Sequence, residues 1–71
     1  MIDFLKKNNF EHVNFVNNVG EYYKRGEIID IFSPLNNFPV RIFFNFENIE
    51  KIKKISINTQ ETSIKIDKYE I

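Results

Sequence analysis

The sequence predicts a small α+β domain, and three observations carry that prediction. Phe38, Val40, Ile42, Phe44 and Phe46 alternate with Pro39, Arg41, Phe43 and Asn45, the period of two of a strand with one buried face. Glu27 to Phe32 is dense in β-branched residues and apolar on both sides, as in a central or covered strand. The first eight residues instead follow a helical spacing.

Taken in order, Met1 to Asn8 forms the helix: Ile2, Leu5 and Phe4 make its apolar side, and Lys6 and Lys7 suit the negative end of the dipole. Asp3 is its N-cap candidate and Asn8-Asn9 its stop. Phe10 to Phe15 reads as a short strand entered through a turn, and Asn17-Asn18 with Gly20 marks the next turn. Glu21 to Lys24 is a strand by residue type. Arg25-Gly26 breaks it in the manner of a hairpin turn or bulge, and the Gly is expected at positive φ. Ser33 to Asn37 is a loop, since Pro34 lacks the N–H a ladder needs.

Along Phe38 to Phe46 the alternation assigns the first set, Phe46 included, to the core, with Ile42 and Phe44 at its centre. The spacing of Ile49, Ile52 and Ile55, with Glu50 four before Lys54, favours a helix over 47–54. A bulged strand gives the same spacing. Asn58-Thr59-Gln60 is a turn, and Ile64 and Ile66 complete a last hairpin. Tyr69 and Ile71 fall in the opposite phase, at a bulge or where the chain leaves the domain.

Composition narrows the function. A chain of 71 residues buries only about 60% of its unfolded surface, which makes for a marginal core. Eight Phe and three Tyr supply large buried areas to it. The formal net charge of zero argues against a domain whose task is to grip a phosphate backbone. The absence of Cys excludes disulfides and thiolate zinc sites and fits a reducing cytoplasm. No apolar run approaches the roughly 18 residues of a membrane span, and the N-terminus lacks a signal-peptide pattern. Ile, Asn and Lys abound in the manner of a genome-composition bias, against which Arg25 and Arg41 stand out.

Catalysis finds little support. His12 is the lone histidine, and Ser33, Ser56 and Ser63 have no activating motif around them. Glu27 and Asp30, three apart on a strand, point to opposite faces and cannot work as a carboxylate pair. Neither a glycine-rich phosphate loop nor a calcium-loop spacing is present, so no cofactor and no metal is expected. Binding chemistry fares better. Tyr22, Tyr23, Phe43, Arg25 and Arg41 are types enriched at protein interfaces. Tyr22, Tyr23 and Phe43 are also the residues by which a sheet would stack single-stranded bases, the runner-up reading. The plain alternatives are that the aromatics fill the core and that each Arg pairs with Glu21, Glu27 or Glu47 at the surface.

The run Gly20-Glu21-Tyr22-Tyr23-Lys24-Arg25-Gly26-Glu27-Ile28-Ile29-Asp30-Ile31-Phe32-Ser33-Pro34 adds a resemblance. With Pro39 to Phe44, Ile49 to Ile52 and Thr59-Gln60, it resembles the UvrB-like interaction domain found in bacterial transcription-repair coupling factors (Mfd) and in UvrB. The likeness covers about residues 4 to 71. Asp30-Ile31-Phe32 and Thr59-Gln60 side with the coupling factors, where UvrB more often has Glu-Ile-Phe and Thr-Gly.

The resemblance implies a short N-terminal helix packed on a curved, mainly antiparallel sheet, with Ile49 to Ile57 as a strand, against the periodicity. It implies one domain over 1–71, excised from a larger multidomain protein that is an ATP-dependent DNA translocase, with no catalysis in this part. It implies UvrA as partner, recruited to stalled RNA polymerase in nucleotide excision repair. It further implies an intramolecular contact with another domain of the parent, whose DNA and polymerase contacts lie elsewhere. The matching binding positions are Arg25, Arg41 and Asn45. The family has Phe where this chain has Asn45, so Phe43 or Phe46 takes that role or the contact is weaker. Arg25 and Arg41 are expected to form one exposed patch, and Arg41→Ala to leave the fold intact.

Overall fold

The computed structural model describes residues 2–71. One helix, α1 (Ile2–Lys7), precedes six strands: β1 (Glu11–His12), β2 (Glu21–Arg25), β3 (Ile28–Ile31), β4 (Val40–Asn45), β5 (Asn48–Ile55) and β6 (Thr62–Ile66). The strands lie in one open sheet in sequence order. Pairing from β2 to β6 is antiparallel, but β1 runs parallel to β2, so the sheet is mixed. The parallel pair is short, with only Glu11 opposite Glu21 and His12 opposite Tyr22. The expected strand over Phe10 to Phe15 is therefore cut to two residues, and the chain beyond it leaves the sheet.

A six-residue helix cannot persist alone, because nucleation is costly and few bonds repay it. Here Leu5 anchors it, fully buried with Tyr22, Ile31, Val40 and Ile42. Asp3 lies inside the first turn rather than capping it, where its charge still suits the dipole. Asn9 ends the helix at φ 64°, a conformation that Asn tolerates better than most residues.

Strand register fixes the two faces. Lys24, Ile29, Ile42 and Ile52 form one cross-strand row on the helix side, and Tyr22, Ile31, Val40 and Lys54 the next. The opposite face carries Tyr23, Asp30, Arg41 and Lys53 in one row, and Arg25, Ile28, Phe43 and Lys51 in another. Ile42 is in the core as expected, whereas Phe44 is half-buried against it. Phe46 departs from the alternation: it sits in the β4–β5 turn and is 86% exposed. Tyr22 is a core residue, 3% exposed, and so offers no face for stacking a base.

The three-residue spacing of Ile49, Ile52 and Ile55 is that of a bulged strand, not a helix. Registers shift between Phe43 and Phe44, where β5 carries one extra residue that keeps Ile49 and Ile52 on one face, and again between Lys53 and Ile55, where the extra residue is on β6. Ile52 faces the helix side opposite Ile42, while Ile55, three regular residues further on, turns to the other face and is buried outside the main cluster. Gly26 has φ +54° in the β2–β3 turn, as its position between two strands predicts. The C-terminal tail packs back on the core through Tyr69 and Ile71. The Tyr69 hydroxyl accepts from the Ser33 N–H at 2.9 Å and donates to the Phe38 carbonyl at 2.7 Å.

Candidate partner-binding site

The face away from the helix is divided into a covered half and an open half. Two loops close over the covered half. One, residues 13–20, joins the parallel strands and buries Val16 completely. The other, 56–61, is folded on itself by the Gln60 N–H to Ser56 carbonyl bond at 2.7 Å. Gln60 joins them: its amide donates to the Val16 carbonyl at 3.2 Å and to the Ile57 carbonyl at 2.9 Å.

Beneath these loops lies the ion pair of Arg41 and Asp30, directly opposite each other on β4 and β3. Arg41 Nε meets Asp30 Oδ1 at 2.7 Å and Nη2 meets Oδ2 at 2.9 Å, the two-pronged geometry only a guanidinium can make. Nη2 also donates to the Gln60 carbonyl at 3.1 Å. The side chains are 12% and 3% exposed, so the expectation of an exposed Arg41 patch is corrected. Hydrogen bonding to Asp30 raises the Arg41 pKa above its ordinary value, against burial, which lowers it. The guanidinium therefore stays charged at any working pH. Its partner is Asp30, not the Glu21, Glu27 or Glu47 of the surface-pair alternative.

The open half centres on Arg25 and Phe43, both on the row that also holds Ile28 and Lys51. Arg25 is exposed, with its guanidinium carbon 6.0 Å from the centre of the Tyr23 ring. Lys51 Nζ sits 4.8 Å from the centre of the half-buried Phe43 ring. Asn45 is exposed at the end of β4 on this same face. Arg25 and Arg41 are separated by β3 rather than being on neighbouring strands, yet both line one cavity of about 130 Å³ with Asn14, Phe15, Tyr23, Asp30 and Gln60. Among the described residues, Arg41 Nη1 has no hydrogen-bond partner.

All 71 residues match the model of a family described as the UvrB interaction domain. The chain belongs to that family. Curated relatives include the transcription-repair-coupling factor of Rickettsia typhi, 46% identical over 56 residues, covering 79% of this chain and 5% of that protein. The coupling factor of Myxococcus xanthus is 36% identical over 53 residues, 75% of this chain and 4% of the relative. That of Borreliella burgdorferi is 49% identical over 41 residues, 58% of this chain and 4% of the relative. The chain thus spans about a twentieth of these relatives' length.

On this UvrB interaction domain, Arg25, Phe43 and Asn45 share the open half, and Arg41 reaches it only through the cavity. Sequence reasoning missed Asp30 as the partner of Arg41. The signal was there: a lone carboxylate in Ile28-Ile29-Asp30-Ile31-Phe32, a run otherwise fit for burial, calls for a cation. It also missed Gln60 as the clamp between the covering loops. Among the described residues, no helix is long and apolar enough to cross a membrane.

Proposed function

We propose that this chain is the module by which a transcription-repair coupling factor binds UvrA, delivering it to stalled RNA polymerase in nucleotide excision repair. The observation that carries the reading is the match of the UvrB interaction domain over the whole chain, together with relatives that are all named coupling factors. That naming favours the coupling factor over the equivalent domain of UvrB. The chain would be one module, 1–71, of a long cytoplasmic protein whose ATP-driven DNA translocation resides elsewhere. The same face would rest against another domain of the parent when UvrA is absent.

The surface suits a protein partner. In this reading the cavity between Arg25 and Arg41 takes a carboxylate of UvrA. Arg25 meets it from the open side and Arg41 offers the N–H groups of Nη1, while Nε and Nη2 stay on Asp30. Phe43 and Asn45 extend the contact along β4. The test is titration calorimetry of the chain with UvrA, and with single-stranded and duplex DNA at low salt. UvrA should bind and DNA should not; binding to DNA with none to UvrA sinks the proposal in favour of the nucleic-acid reading. Arg25→Ala should weaken UvrA binding by about 2 kcal/mol or more without changing the melting temperature, since it removes no buried contact.

A further inference from the structure

The loop between the two parallel strands, residues 13–20, carries an aromatic ring that takes no part in the core. Phe15 is 66% exposed and lies outside the main cluster, while Val16 beside it is completely buried. The backbone on both sides of Phe15 is tied down. The Val13 N–H donates to the Tyr22 carbonyl at 2.9 Å, and the Val16 carbonyl accepts from the Gln60 amide at 3.2 Å. The Phe15 carbonyl itself accepts from the Asn17 side-chain amide at 3.3 Å. The Asn17 and Asn18 N–H groups are in turn held by the Glu21 carboxylate. With Val16 turned in and its flanks fixed, Phe15 is left outside on a loop with little freedom to hide it.

The exposed ring lies on the arginine face of the sheet. Phe15 lines the same cavity as Arg25, Arg41, Tyr23 and Asp30. Strands supply one side of that cavity and the loop supplies the other. Its charged groups are two guanidiniums against one carboxylate, an excess that favours an anion. A small free anion would satisfy the arginines and leave Phe15 in water. A protein segment that presents a carboxylate beside an apolar side chain would cover both.

We propose that the 13–20 loop is a second wall of the UvrA contact, where Phe15 packs on an apolar side chain adjoining the carboxylate held between Arg25 and Arg41. The inference rests on the functional reading above. The site then selects an acidic residue with an apolar neighbour, not a carboxylate alone. The loop is pinned before the partner arrives, so covering the ring costs little ordering. An aromatic ring buried beside a charge pair also excludes water from it, which strengthens the pairing.

The test compares UvrA affinity and melting temperature for the chain and its variants. Phe15→Ala should weaken binding roughly tenfold or more and leave the melting temperature unchanged, since the ring makes no core contact. Phe15→Leu, which keeps an apolar side chain, should recover part of the affinity. Phe15→Glu should weaken binding more than Phe15→Ala, because the introduced carboxylate competes for the arginines and repels that of UvrA. Leu35→Ala, at a residue 63% exposed in the β3–β4 loop and outside the cavity, should leave the affinity unchanged. If Leu35→Ala weakens binding as much as Phe15→Ala, the effect is one of general surface hydrophobicity and the loop wall is wrong. If the unaltered chain binds UvrA and both Phe15→Ala and Phe15→Glu bind equally well, the loop wall is wrong and the functional reading stands. If the unaltered chain does not bind UvrA, both fall. Concentration-dependent self-association in sedimentation, abolished by Phe15→Ala, would overturn the proposal by assigning the ring to a second copy of this chain.

Discussion

At the scale of single residues, the Arg41–Asp30 pair is a structural element before it is anything else. Removing the cation leaves a buried carboxylate without a partner, so Arg41→Ala should cost about 3–5 kcal/mol in chemical denaturation. Arg41→Lys should recover only part of that, because an ammonium cannot make both prongs. A loss under about 1 kcal/mol would show that water replaces the guanidinium. Any fall in UvrA binding by Arg41→Ala has to be read beside that loss of stability, which is why Arg25→Ala is the cleaner probe. Core substitutions follow burial in the same way. Ile42→Ala should cost about 2–5 kcal/mol. Phe44→Ala should fall below the usual range for a fully buried Phe, since its ring already borders an open cleft. Equal losses at full-Phe magnitude would mean that the cleft closes in solution.

At the scale of elements, the hairpins and the 13–20 loop each rest on an identifiable device. Gly26→Ala should destabilise by about 1–2 kcal/mol, the cost of a Cβ in the left-handed region, because nothing else crowds that position. The loop is stapled by Glu21, whose Oε1 accepts from the Asn17 and Asn18 N–H groups at 2.8 and 2.9 Å. Those bonds hold the Glu21 carboxyl below the usual carboxylate range. A folded pKa below the unfolded one gives stability that is present above the unfolded value and lost as pH falls through the folded value. Acidification should therefore move the Asn17 and Asn18 amide resonances with one midpoint below the usual Glu range, and Glu21→Gln should abolish that step. A midpoint in the ordinary range would remove the staple. The strands of the middle of the sheet were legible because one face is apolar and the alternation is local. β5 was not legible from pattern alone: one extra residue puts Ile49 and Ile52 on the same face three apart while Ile55 turns to the other face, and that bulge is set by pairing with β4, which no local window contains. The parallel β1 was hidden for a similar reason, since two residues carry no period.

At the scale of the whole molecule, the face opposite the helix is where sequence reading reached furthest and then stopped. Alternation along β4 put Arg41, Phe43 and Asn45 on that face, and register confirms it. It could not show that loops separated by 44 residues meet at Gln60 and Val16 and roof over Arg41. Such long-range cover depends on how the chain returns, not on residue type. The C-terminal tail is another long-range closure, held by the Tyr69 hydroxyl and by the Asn36 side-chain amide, which donates to the Glu70 carbonyl at 2.6 Å. Tyr69→Phe should cost about 1–3 kcal/mol, because the Ser33 N–H is left without its acceptor. Unchanged stability in urea would show that the tail is not a structural part of the domain. The position of that hydroxyl also has a mechanical meaning. Tension applied at the C-terminus reaches Tyr69 before it reaches β6, and Tyr69 passes it to the Ser33 and Phe38 backbone at either end of the β3–β4 loop. A pull from that side is thus shared between the last edge strand and the middle of the sheet instead of unzipping β6 alone.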